Sequence, residues 1–141
     1  WCSGKVYSGV LGASHEYFFT YTINGCGVII GGTVAAPFVA HANLESGRLA
    51  APDTTGKTMQ ETIVMMAENT KNQGQVYEHF YGNLAAHFIE QGKLSGFRVT
   101  IITPQEYLIE AGAGFGVIFG IRKGGSWEFY GNWAKKTKRI W

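Results

Sequence analysis

Histidine beside a carboxylate is the commonest general acid–base pair, so the histidines come first. His79, Asn83, His87 and Glu90 recur about one helical turn apart. His79 and His87 are two turns apart, too far to share a metal ion. The compact zinc spacing, two His four apart with a Glu between, is absent. His15-Glu16 and Glu78-His79 set a base next to an acid, but neighbours on a strand face opposite sides. No Ser or Cys stands in a recognised nucleophile setting. Glu106 and Glu110 share a face and could act as paired acids. Without a second signal these groups read as solvated polar stripes. A small His/carboxylate hydrolase is therefore the third-ranked function, and neither a cofactor nor a metal is implied.

Cys2 and Cys26 are the only cysteines. A bond between them would tie the N-terminus to the next hairpin and remove about 3 kcal/mol of loop entropy from the unfolded chain. Such a bond argues for an oxidising compartment. With no initiating Met and no charged-then-apolar leader at its start, the sequence reads either as a chain whose signal peptide has been removed or as a domain cut from something longer; the expectation is a secreted or periplasmic chain.

Charge is divided along the chain. Residues 122–141 carry six basic side chains against Glu128, a net of +5, while residues 1–121 carry six basic and nine acidic, a net of −3. In the C-terminal stretch Lys135, Lys136, Lys138 and Arg139 alternate with Trp133 and Trp141, just beyond Trp127 and Tyr130. Cations interleaved with indoles suit an anionic membrane surface, a glycan or a protein face. Nucleic acid is the least favoured partner. Residues 111–121 form an uncharged Gly/Phe run without the Lys-Ser/Thr ending of a phosphate loop. It reads first as closely packed sheet, and second as a membrane-inserting strand.

The elements that position these residues follow from periodicity. Residues 5–11, 15–23 and 26–34 read as strands, with Asn24-Gly25 closing a hairpin between the last two. Tyr17, Phe19, Tyr21 and Ile23 share one strand face. The uncharged stretch from Tyr17 to Leu44 is read as buried strand and turn, not as a spanning helix. Residues 35–57, broken by Pro37, Gly47, Pro52 and Gly56, read as a surface excursion. Thr58-Met-Gln-Glu61 matches a capping box. It opens a helix over 58–70 with Met59, Ile63, Met66 and Ala67 as its buried stripe, and Lys71-Asn-Gln-Gly74 as its stop. Residues 75–91 form a second amphipathic helix ending at Gly92. Strands follow at 97–102, 107–110, 115–121 and, after a Gly124-Gly125 turn, 127–133.

The expected fold is α+β, one domain over 1–141: three strands, two helices, then three to four strands, as an antiparallel sheet or small barrel packed around a two-helix segment. In element order alone it is similar to the oligonucleotide/oligosaccharide-binding barrels. At 141 residues and +2, with 45% hydrophobic, 16% charged and 20 Gly, the composition excludes disorder, collagen and a disulfide mini-scaffold. The expected function is a non-catalytic binding module presenting Trp127, Tyr130, Trp133, Lys135, Lys136, Lys138, Arg139 and Trp141 to a glycan, a protein or another copy of itself. A membrane-active toxin or toxin delivery subunit is the alternative.

Overall fold

β-Branched and aromatic residues in period two set eight strands, and one capped amphipathic run sets a helix. The computed structural model describes residues 5–43, 49–94, 98–110 and 114–141. In chain order the strands are β1 (Val6–Val10), β2 (Tyr17–Phe19), β3 (Cys26–Thr33) and β4 (Ala36–Asn43). After helix α1 (Met59–Glu90) come β5 (Val99–Ile102), a π-helical segment (Gln105–Glu110), β6 (Val117–Lys123), β7 (Ser126–Trp133) and β8 (Lys136–Arg139). They make two four-stranded antiparallel sheets, ordered β1-β4-β3-β5 and β2-β6-β7-β8. The α+β expectation holds at that level: two antiparallel sheets and one long helix.

The inner strands β3 and β4 of the first sheet are covered on both faces, which is why they read as continuous apolar runs. Val28, Ile30, Val39 and Ile102 face the second sheet and meet Ile118, Trp127, Phe129, Trp133 and Trp141. Ile29, Phe38 and Ala40 face the other way, onto Ala85, Phe88 and Leu94. Ala42 packs with Tyr77 and Tyr81 of α1. Close approach is built into β3: a Cβ on Gly27 would overlap the Tyr81 ring, and one on Gly31 would sit 2.5 Å from Leu94 Cδ1.

Several expectations are corrected. The two helices are one of 32 residues, and Lys71–Gly74 runs through its middle. Gln73 and Gly74 are buried there; the Gln73 side chain accepts from Leu49 N at 2.6 Å, and Gly74 leaves room for the Gln105 side chain. The buried stripe begins only at that point. Met59, Ile63, Val64 and Met66 upstream are exposed, so the stripe expected at 59–67 is not core. The capping box forms as expected: Glu61 N donates to Thr58 Oγ1 at 3.2 Å, and Thr58 N to Glu61 Oε2 at 2.8 Å.

Asn24-Gly25 joins the two sheets instead of closing a hairpin, because β2 pairs with β6 and β3 with β4 and β5. The β2 ladder stops where the Thr20 hydroxyl accepts from Ile118 N at 2.9 Å, the place its carbonyl would take. The excursion expected over 35–57 contains β4, an inner strand. Pro37 fits because its backbone faces Leu11, whose N–H donates to Pro37 O at 2.9 Å; the missing proline N–H forfeits only the reciprocal bond, just past the end of β1. Residues 107–110 belong to the π-helical segment instead of a strand. Thr103 Oγ1 and O accept from Gln105 N and Glu106 N there, at 3.2 Å each. Pro104 directly precedes the segment, where its lack of an N–H costs least.

Candidate functional site

The C-terminal residues expected to face a partner separate into two sets. Trp127, Trp133 and Trp141 are buried between the sheets, so as presented aromatics they are corrected: they are core. The β7 alternation puts Trp127, Phe129, Gly131 and Trp133 inward, and this register follows from pairing with β6. Trp141 packs edge-on against Phe129 with centroids 5.5 Å apart, and the Arg98 guanidinium lies 5.6 Å from its ring. Tyr130 is half-buried on the outer face; Lys135, Lys136, Lys138 and Arg139 are exposed.

Those cations lie on or beside β8, an edge strand. Arg139 pairs with Glu128 at 3.2 Å and Lys138 with Glu106 at 3.6 Å, while Lys138 Nζ also sits 4.8 Å from the Trp133 ring centroid. The Tyr130 hydroxyl donates to Glu128 at 2.8 Å. That bond, with Arg139 beside it, holds the carboxyl below its usual range, and the same bond to the Glu128 carboxylate raises the phenol. Lysines on an edge strand discourage pairing with another chain. On this side the sandwich is also closed, since Thr100 of β5 donates to Ile140 O at 3.3 Å.

The opposite side is open. Here β1 edges one sheet and β2 edges the other, and a cleft of about 370 Å³ lies between them. Tyr7, Leu11, Phe18, Thr20 and Tyr21 line it, with His41 and Val39 at its base. Tyr7 is 57% exposed, Tyr17 60%, Phe19 67% and Tyr21 71%. Residues 6–14 contain no charged side chain, so nothing guards this edge as the lysines guard β8. Phe19 begins a row of rings across the outer face of the second sheet, stacking on Phe119 at 6.3 Å, which stacks on Tyr130 at 5.3 Å. Register explains the row: Phe19, Phe119, Tyr130 and Arg139 are successive cross-strand partners.

The backbone of both edges is also aimed outward. Leu11 N bonds Pro37 O, and Asn43 N bonds Lys5 O at 3.3 Å, so residues 5, 7, 9 and 11 face β4. Val6, Ser8 and Val10 therefore direct their N–H and C=O groups away from the sheet. In β2 the bonds Thr20 N to Ile118 O and Arg122 N to Glu16 O, both 2.8 Å, leave Tyr17 and Phe19 pointing out. The sequence places Tyr17, Phe19 and Tyr21 on one face but carries no sign that this face borders a gap. A sequence cue to the site exists only in the absence of charge from 6 to 14.

The residues weighed for catalysis and metal binding stay apart. His79 bonds Asn83 at 3.0 Å and His87 bonds Gln91 at 2.7 Å, each along the exposed surface of α1. His15 bonds Ser14 at 3.0 Å in an exposed turn. Among the described residues no group of three or more His, Cys, Asp or Glu could hold a metal ion. Glu106 is drawn to Lys138; the Glu110 side chain lies outside the described residues. Cys26 is a free, buried thiol that packs in the core, and the expected disulfide is not formed; Cys2 lies outside the described residues. Burial pushes the Cys26 pKa up, away from a reactive thiolate. Residues 117–121 of the Gly/Phe run lie in β6, where a Cβ on Gly120 would come 2.9 Å from Phe129 and 3.3 Å from Trp127. Among the described residues no helix is long and apolar enough to cross a membrane.

No protein-family model matches the chain, and no curated protein or solved structure matches it either.

Proposed function

We propose that this chain is a non-catalytic binding module whose recognition surface is the open side of the sandwich, and that its partner is an extended, uncharged polypeptide segment. One observation carries the reading: two neighbouring edge strands with outward-directed backbone flank an aromatic cleft, while the far edge of the second sheet is lined with cations. Strand addition to such an edge gains affinity from main-chain bonds and selectivity from side-chain pockets. Exposed Tyr and Phe supply rigid contact area at low entropic cost. The cations of β8 then serve to keep the opposite edge free of wrong partners.

The test is NMR titration of the labelled chain with a panel of uncharged hexapeptides and neutral oligosaccharides. Shifts clustered at residues 6–11 and 17–21 upon peptide addition are the expected result, and Phe19→Glu should remove them without unfolding an exposed site. Shifts confined to 135–139, or seen only with oligosaccharides, would overturn the reading.

A further inference from the structure

We propose that the segment received by the open side is β1 of a second copy of this chain, paired antiparallel about a two-fold axis through Ser8. The inference rests on the reading of that side as a strand-accepting edge and names its occupant. Three features of β1 support it. First, its outward backbone groups belong to Val6, Ser8 and Val10, a set that is symmetric about Ser8. An antiparallel copy centred there places Val6 opposite Val10, Ser8 opposite Ser8 and Val10 opposite Val6. Each of these is a hydrogen-bonded pair that exchanges two main-chain bonds. A two-fold interface requires this kind of self-matching pattern.

Second, the side chains on the cleft face fit the same register. Tyr7 and Gly9 share a face with their partners His41 and Val39. In the paired copies Tyr7 of one chain lies opposite Gly9 of the other. Gly9 has open space where a side chain would be, with nothing within 4 Å, and it lies on the wall of the cleft. Tyr7 is one of the most exposed large side chains of the strand. An aromatic ring laid over a cross-strand glycine is an established way to fill such a gap. The bare glycine and the unshielded tyrosine, two residues apart, therefore complement each other across the axis.

Third, no like charges meet. Lys5, the one charged residue near the strand, comes opposite Leu11 of the other copy, and β1 itself has no charge. Of the other edges, β8 carries Lys136, Lys138 and Arg139 and would set cations against cations if it paired with its own copy, while β2 is a strand of only three residues, Tyr17–Phe19, against five in β1. Charge thus disfavours self-pairing through β8, and β1 offers a longer ladder than β2.

Sedimentation velocity from micromolar to millimolar concentration tests the proposal, with far-UV circular dichroism to confirm folding. Ser8 is exposed on the edge, so Ser8→Lys and Ser8→Glu should fold as the parent does. The parent should show a concentration-dependent dimer. Each variant alone sets like charges across the axis and should weaken self-association by on the order of tenfold or more. Mixing the two variants in equal amounts should restore the dimer, because the Lys then faces the Glu. Tyr7→Ala should weaken the dimer as well. A parent that stays monomeric throughout overturns the proposal, and so does a dimer indifferent to both Ser8 changes. A monomer that still shows hexapeptide-induced shifts at the β1 and β2 edges refutes the second copy as partner but leaves the module reading intact. A monomer with no such shifts refutes both.

Discussion

Trp141→Ala is the change that best separates a core tryptophan from a presented one. The indole is 1% exposed and packs among Ile23, Val28, Phe129 and the other residues of the inter-sheet cluster. It meets Phe129 edge-on at 5.5 Å and lies under the Arg98 guanidinium. Truncating a buried Trp costs about 3–5 kcal/mol, the sum of lost transfer energy and the cavity left behind. The edge-on ring contact contributes about 0.5–1.5 kcal/mol beyond area burial. The main-chain bonds, Phe129 N to Trp141 O at 3.2 Å and Trp141 N to Phe129 O at 3.4 Å, survive the substitution and limit the damage. A loss of about 4 kcal/mol is therefore expected, a large share of the ~5–15 kcal/mol that holds a domain together. Urea unfolding followed by circular dichroism reads this as a lower midpoint at unchanged slope. Lys136→Gln, an exposed change on the neighbouring strand, should stay within about 0.5 kcal/mol. If Trp141→Ala cost less than about 1 kcal/mol, the indole would not be part of the core and the inward register of the C-terminal segment would be wrong.

Glycine substitutions should act with opposite signs at two positions. Gly27→Ala drives a methyl into Tyr81 and should cost about 1–3 kcal/mol by overpacking. Gly82→Ala, in the α1 interior with open space around it, should gain up to about 1 kcal/mol in the same urea assay. Tyr107→Phe removes the buried hydroxyl that donates to Cys26 O at 2.7 Å and should cost about 1–3 kcal/mol by stranding that carbonyl. Burial lowers the His41 pKa from its usual 6.5, so the native chain binds fewer protons than the unfolded one. The His41 contribution is therefore complete above about 6.5 and is lost as pH falls toward the folded value. A urea midpoint that drops from pH 7.5 to 5.5, and drops less in His41→Phe, is the expected profile.

Local signals in this chain were legible where the chemistry is local. The Thr58–Glu61 capping box, the αL glycine at Gly92 and the Gly124-Gly125 turn each satisfy or demand a backbone geometry within four residues, and each forms. Ala134 and Lys135 show the converse: both take positive φ, 51° and 60°, in the β7–β8 hairpin with no glycine to announce it. Lys71–Gly74 looks like a helix stop because Asn and Gly favour other conformations in isolation. Buried contacts with Leu49 and Gln105 outweigh that preference, and those partners lie 24 and 31 residues away.

The alternation of Trp127, Phe129 and Trp133 places three aromatics on one face of β7 from the residues alone. Whether that face meets solvent or a second sheet depends on which strand pairs where, and pairing is a long-range choice. The same holds for Tyr7, Tyr17 and Phe19. Their periodicity is local, but the gap beside them exists only because β1 joins β4 while β2 joins β6. Charge is the exception that bridges the two levels: lysines on β8 and their absence from β1 can be read off the chain. Their meaning as a guarded and an unguarded edge waits on the two sheets, since an edge is a property of neighbours that are missing rather than of the residues in the strand.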